Sequence, residues 1–152
     1  MAIEQKKVQD VLSEISGYVE EHINENMFRT MIIPVMIKSV ESLTCQLTNI
    51  EKDSLMVAKQ YWIDRSCNSL DLKQARKQLR KFQSSVDLFK SPTEYFRIEA
   101  ILKILYTFED WEGEAEGSLA YFGSDLLEAG IPLDFFYKEL QAVFTTILGG
   151  NG

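Results

Sequence analysis

The chain has one histidine, His22, in 152 residues, so no site that needs two imidazoles can be built from it. Two cysteines, Cys45 and Cys67, are too few for a disulfide framework. Neither has a neighbouring His in sequence to activate it, and both are expected to be small buried hydrophobes in a reducing compartment. Proline (three) and glycine (eight) are sparse in a chain that is 45% hydrophobic and 26% charged, which excludes disorder, collagen-like repeats and low-complexity architecture. Long apolar runs are missing too. The most apolar stretch, Met31 to Ile37, contains Pro34 and is far short of the roughly 20 residues a membrane span needs. No apolar segment follows a basic start in Met1-Ala2-Ile3-Glu4-Gln5-Lys6-Lys7-Val8, so no signal peptide and a cytoplasmic location are expected.

The same scarcity removes most catalytic chemistry. Gly113/Gly117 and Gly149/Gly150 have neither the spacing nor the preceding strand of a phosphate cradle. His22 with two distant cysteines cannot supply a zinc site, and no Glu stands three residues before it for a di-iron bundle. A Ser-His-Asp or Cys-His arrangement would have to use His22, which falls at the end of an amphipathic stripe. A core-edge or helix-terminal role suits it better. The expectation is a protein with no cofactor, no metal and no enzymatic activity.

What is present is helical periodicity. Val8, Val11, Leu12, Ile15, Val19 and Ile23 recur at spacings of three and four and predict a helix over 3–25, ended by Asn24-Glu25-Asn26. Ile33, Ile37, Val40, Leu47 and Ile50 fit a helix broken or started near Pro34. Leu43, Cys45 and Leu47 also alternate as a strand would. Helix is favoured over 39–50 because a lone strand has no partner elsewhere in the chain. A broad apolar face follows, with Leu55, Met56, Ala58, Trp62 and Ile63. Leu72, Ala75, Leu79, Phe82, Val86 and Phe89 make a heptad-like seam. Ser91-Pro92-Thr93-Glu94 reads as a capping box with Pro in the first turn, opening a central buried helix that runs to Phe108. Ala115, Leu119, Phe122, Leu126 and Ala129 predict another helix stopped by Gly130, and Pro132 opens the last one, closed by Gly149-Gly150. With no linker and no internal repeat, this is an all-α chain: an antiparallel bundle of six to seven helices around a single core, one domain over 1–152.

Charge is distributed unevenly. No Lys or Arg occurs between Lys103 and Lys138, while Glu109, Asp110, Glu112, Glu114, Glu116, Asp125, Glu128 and Asp134 all do. The whole chain carries −7, from sixteen bases and twenty-three acids. With those eight acids set aside, the remainder is close to neutral. At about 100° per residue, Glu114, Tyr121, Asp125 and Glu128 share one helix face, a fraction of a turn from Leu119, Phe122 and Leu126. The helix dipole favours Glu114 and Glu116 in a first turn, but Glu109 and Asp110 fall at the predicted end of the 92–108 helix, where negative charge is disfavoured. A second cluster is basic: Lys73, Arg76, Lys77, Arg80 and Lys81 at i, i+3, i+4, i+7 and i+8. No aromatic is interleaved with it for base stacking.

These features predict a partner-binding surface made of Glu109, Asp110, Trp111, Glu112, Glu114, Tyr121, Asp125 and Glu128, with Trp111 and Tyr121 as aromatic anchors. An acidic surface suits a basic partner, because a cationic cleft built for phosphate also attracts a rigid array of carboxylates. In size, acidity and helical make-up the chain resembles bacterial toxin-immunity proteins, a likeness of general make-up. It implies a cytoplasmic inhibitor of a basic protein, foremost a nuclease toxin. The other reading is a helical adaptor that binds nucleic acid through the Lys73–Lys81 face, the acidic window serving to orient or autoinhibit it.

Overall fold

The computed structural model describes residues 24–42, 46–109 and 119–150, together with the helical and exposed positions Glu14, Gly17 and Glu21. The predicted 3–25 helix, including His22, otherwise lies outside the described residues, as does Cys45. Among the described residues regular structure is entirely helical, with no strand. Its elements are α1 (Glu25–Met27), α2 (Ile33–Glu41), α3 (Asn49–Lys59), α4 (Ser69–Gln83), α5 (Pro92–Ile104), α6 (Leu119–Glu128) and α7 (Leu133–Gly150). Wider π-helical turns, Phe28–Ile32 and Gln60–Asp64, join α1 to α2 and extend α3.

Local chemistry sets the starts. Asn24 leaves helical geometry (φ −108°, ψ 176°) and its side chain accepts from the Met27 amide, so the predicted break at the Asn-rich patch coincides with a new N-cap. Pro34 lies in the first turn of α2 and has no amide to donate to the preceding turn. The backbone before it widens, and the Ile33 amide reaches back to the Phe28 carbonyl. Two capping boxes that the sequence analysis overlooked open α3 and α4: Thr48 with Glu51, and Asn68 with Asp71. The predicted box at Ser91 is not made. Thr48 and Asn68 have ψ near 170°, whereas Ser91 has ψ 60°, and its hydroxyl does not cap the helix. The Asp87 turn holds the Ser91 backbone instead: Ser91 N donates to the Asp87 carbonyl at 2.8 Å, and Phe89 N donates to Asp87 Oδ1 at 2.8 Å.

That turn also cuts the heptad-like seam short. Leu72, Ala75 and Leu79 are buried, α4 ends at Gln83, and Phe89 is 93% exposed on the connection to α5. Met56 and Ile63 likewise face outward, so the broad face predicted around them narrows to Leu55, Ala58 and Trp62. Spacing alone carried the pattern past the end of the helix.

The predicted central helix is α5. It packs against α2, α3, α4 and α6, and residues 97, 98 and 100–104 are all buried. It ends four residues earlier than predicted. Trp62 Nε1 donates to the Ile104 carbonyl at 2.8 Å, and Arg76 Nη1 reaches the Leu105 carbonyl at 3.5 Å, so side chains from neighbouring elements serve the last carbonyls of the helix. Trp62 is itself fixed by Phe28, whose ring meets it edge-on with centroids 5.3 Å apart. Arg29 covers the same indole and donates to the Tyr61 and Trp62 carbonyls at 2.7 and 2.9 Å.

Charged side chains in the buried part of a helix must be neutralised from within the protein. For Arg97 the partner is Glu51: Nε to Oε1 at 2.5 Å and Nη2 to Oε2 at 2.9 Å, a two-pronged pair. The carboxylate raises the Arg97 pKa further above its already high ordinary value by hydrogen bonding to the charged form. Glu51 Oε2 also accepts from the Thr48 amide and hydroxyl, so one buried carboxylate caps α3 and anchors α5.

At the C-terminus of α6, Gly130 has φ +80°, with Ile131 N bonded to the Leu126 carbonyl and Gly130 N to the Leu127 carbonyl. This is the paired closure of a Schellman motif, as the sequence predicts for Gly130.

Arg97→Met should lower unfolding stability by roughly 3–5 kcal/mol, because it leaves a buried carboxylate unpaired, and adding Glu51→Gln should restore most of it. Urea denaturation of both variants measures this. Gly130→Ala meets no atom within 4 Å, so its cost should be the left-handed backbone alone, about 1 kcal/mol, without loss of fold by circular dichroism.

Candidate functional site

The acidic window begins where α5 stops. After the break at Thr107 the chain turns helical again at Phe108 and Glu109, and Glu109 is exposed. It therefore follows a break in the chain and does not close the 92–108 helix, where a negative charge would be disfavoured. Asp110, Trp111, Glu112, Glu114 and Glu116 lie outside the described residues.

On α6 the predicted acidic face divides. Tyr121 is 53% exposed and Glu128 is exposed. Asp125 is only 8% exposed, and Lys103 of α5 donates to its Oδ2 at 2.5 Å. Lys103 lies in turn 3.8 Å from Glu99 Oε2, one turn earlier on α5. Asp125 is thus taken out of the predicted contact surface by one of the chain's own cations. A helical wheel explains the misplacement. At about 100° per residue Asp125 sits some 40° from Tyr121 and 60° from the fully buried Phe122, on the boundary between the two faces. A buried lysine on the neighbouring helix decides its side. Glu109 and Glu128, by contrast, make no ion pair with the described residues.

Sequence reasoning used Lys103 only as the border of the cation-free window and missed Glu99 and Gln83 altogether. Gln83 Nε2 donates to Glu99 Oε1 at 2.9 Å, and Arg80 Nη1 joins the same oxygen at 3.1 Å. The signal was available as a Glu99–Lys103 pair one turn apart within the apolar 98–105 segment.

The basic cluster on α4 also divides by residue type. Arg76 lies over the Tyr106 ring, 4.4 Å from its centroid, and Arg80 pairs with Glu99 and donates to the Tyr106 hydroxyl at 3.2 Å. Lys73, Lys77 and Lys81 are exposed at intervals of four. They form one outward ridge, beside an open groove lined by Gln74, Lys77, Gln78, Arg80, Lys81 and Ser84. A smaller, more polar hollow of about 290 Å³ lies at the N-terminal end of α4, among Ser69, Leu70, Lys73, Arg76, Leu105, Thr107 and Glu109.

Cys67 is partly buried, and its thiol pKa is pushed up, first by desolvation and then by the nearby Asp71 carboxylate, so it is held in the unreactive protonated form. Among the described residues no cluster of three or more His, Cys, Asp or Glu is placed to hold a metal ion. Nor is any helix of these residues long and apolar enough to cross a membrane.

The inward and outward acids of α6 should separate in stability measurements. Asp125→Ala, which leaves the buried Lys103 with only the more distant Glu99, should cost roughly 2–3 kcal/mol in urea unfolding, whereas Glu128→Ala should change stability by no more than about 0.5 kcal/mol. Comparison with family models, with curated proteins and with solved structures finds no match for this chain.

Proposed function

We propose that the chain is a cytoplasmic inhibitor of the immunity type, which binds a basic protein, foremost a nuclease toxin, through the acidic surface that begins at Glu109. The helices are read as one antiparallel bundle around a single core, a rigid platform for that surface. The observation that carries the reading is the 34-residue window with eight acids and no Lys or Arg, in which Glu109, Glu128 and Asp134 are exposed, as is the ring of Tyr121. Long-range attraction to such a surface speeds association and sets its orientation, and the rings give a short-range anchor. The contact set is Glu109, Asp110, Trp111, Glu112, Glu114, Tyr121 and Glu128, without Asp125. A nuclease would be blocked by occupation of its phosphate-binding cleft or rim, which asks no catalytic group of this chain.

The Lys73, Lys77 and Lys81 ridge favours a second reading, nucleic-acid binding through phosphates alone. One set of experiments separates the two. The protein is isolated with its bound partner from its own cell, and the partner's charge and nuclease activity are measured. For the inhibitor, we expect a basic nuclease whose activity falls on binding. Its association should weaken steeply between about 50 and 200 mM salt and be lost on Glu109→Lys with Glu128→Lys, while Lys73→Gln with Lys77→Gln leaves it intact. A complex that survives both high salt and the charge reversal overturns the inhibitor reading. Retention on RNA or DNA, abolished by the lysine substitutions, replaces it with the second.

A further inference from the structure

The basic groove of α4 and the acidic face of α6 meet in one chain of charges that crosses α5. Arg80 of α4 donates to Glu99 Oε1 at 3.1 Å, and Gln83 Nε2 donates to the same oxygen at 2.9 Å. The other oxygen, Glu99 Oε2, faces Lys103 Nζ at 3.8 Å, and Lys103 donates to Asp125 Oδ2 of α6 at 2.5 Å. Cation and anion thus alternate from Arg80 through Glu99 and Lys103 to Asp125. The outer end is open to a ligand: the Arg80 side chain is 46% exposed and lines the groove beside Lys77 and Lys81. Glu99, Lys103 and Asp125 are largely buried.

Lys103 stands between two carboxylates and serves them unequally. Its contact with Asp125 is a hydrogen bond, whereas 3.8 Å to Glu99 is too long for one. Glu99 gets by without that bond because Arg80 and Gln83 already donate to it. An ammonium is a compact charge on a flexible stem, able to turn its donors from one carboxylate to the other. With little water to screen them, the balance follows what else each carboxylate holds. Take Arg80 away and Glu99 keeps the Gln83 amide, so its pull on Lys103 rises and the hold on Asp125 loosens.

We propose that Glu99 and Lys103 couple the two faces: an anion that draws Arg80 outward turns Lys103 toward Glu99 and releases Asp125 toward solvent. Asp125 then joins Glu128, three residues further along α6, as an outward carboxylate. Linkage makes the effect reciprocal. A cationic partner that draws Asp125 outward leaves Lys103 to Glu99 and yields Arg80 to an anion in the groove. The closed chain of charges is the resting state, and the two faces bind opposite charges cooperatively. Its use in regulating docking rests on the inhibitor reading. The coupling itself needs only side chains of this protein.

The test is carbodiimide labelling of Asp125 in the full chain, read by peptide mass spectrometry, with amide NMR of α6 alongside. Arg80→Gln should raise Asp125 labelling about fivefold, the low end of ordinary coupling between sites, and shift the Asp125 and Leu126 amides. Lys77→Gln and Tyr106→Phe, which leave the Arg80–Glu99 pair in place, should change neither. Adding Glu99→Gln to Arg80→Gln should return labelling to the wild-type rate, because a neutral amide does not compete for Lys103. Simple loosening of the fold predicts the reverse, with two lost contacts exposing Asp125 more than one. That reverse result, or unchanged labelling in Arg80→Gln, overturns the coupling. Inorganic pyrophosphate titrated into the wild-type chain should shift the same two amides and sodium chloride should not; equal effects overturn the groove as the trigger. A basic nuclease that binds while Arg80→Gln leaves Asp125 labelling unchanged refutes the coupling alone, and a labelling response without any basic partner refutes the inhibitor reading alone.

Discussion

Arg97 and Lys103 lie in the buried part of α5, where a charge removed from water needs an anion inside the protein. Arg97 takes Glu51 from α3, and Lys103 takes Asp125 from α6, with Glu99 of its own helix nearby. Apolar contacts bring the helices together without much directional preference. A two-pronged guanidinium–carboxylate pair tolerates little error in register. The Arg97–Glu51 pair therefore constrains how α3 sits along α5, and Glu51 passes the constraint on to the start of α3 through Thr48, while the single Lys103–Asp125 contact ties α6 to α5 less strictly. Such pairs add less net stability than their short distances suggest, since both charges have left water. Their value here is in specifying one arrangement of packed helices.

The same demand sorts the surface charges. On α4 Arg76 lies on the ring of Tyr106, just past α5, and Arg80 pairs with Glu99 of α5, while the exposed lysines stay in water. On α6 the one acid within reach of a buried cation is drawn in, and Glu128, beyond that reach, stays out. The outward charge is thus what remains once the interior has taken its share. A basic ridge stands on α4, and acids stand at Glu109 and along the last two helices.

That residue of charge supports the proposed inhibitor and also explains why the two clusters do not cancel each other among the described residues. Arg80 is spent on Glu99 rather than on the acidic window. Lys103 neutralises only Asp125 there. The small ionic hollow lies where the two regimes meet, with Lys73 and Arg76 from one and Glu109 from the other.

The sequence by itself determined the helical class, the start at Pro92, the breaks at Asn24 and Gly130, and the deep burial of the 98–104 segment. Each follows from interactions spanning a few residues: apolar spacing, a missing amide, a positive φ. The exposed fate of Glu109, Tyr121 and Glu128 was also legible, because polar residues off the apolar stripe face water by default. Only the tertiary structure decided the rest. Ser91 does not cap because Asp87 holds its backbone, α5 ends early because Trp62 and Arg76 serve its terminal carbonyls, and Phe89 leaves the seam because α4 has already stopped. Asp125 goes inside because Lys103 waits on another helix. These outcomes turn on partners twenty or more residues away or on a competing turn, and a helical wheel, which knows angles but not neighbours, cannot rank a carboxylate's pull toward water against its pull toward a buried ammonium.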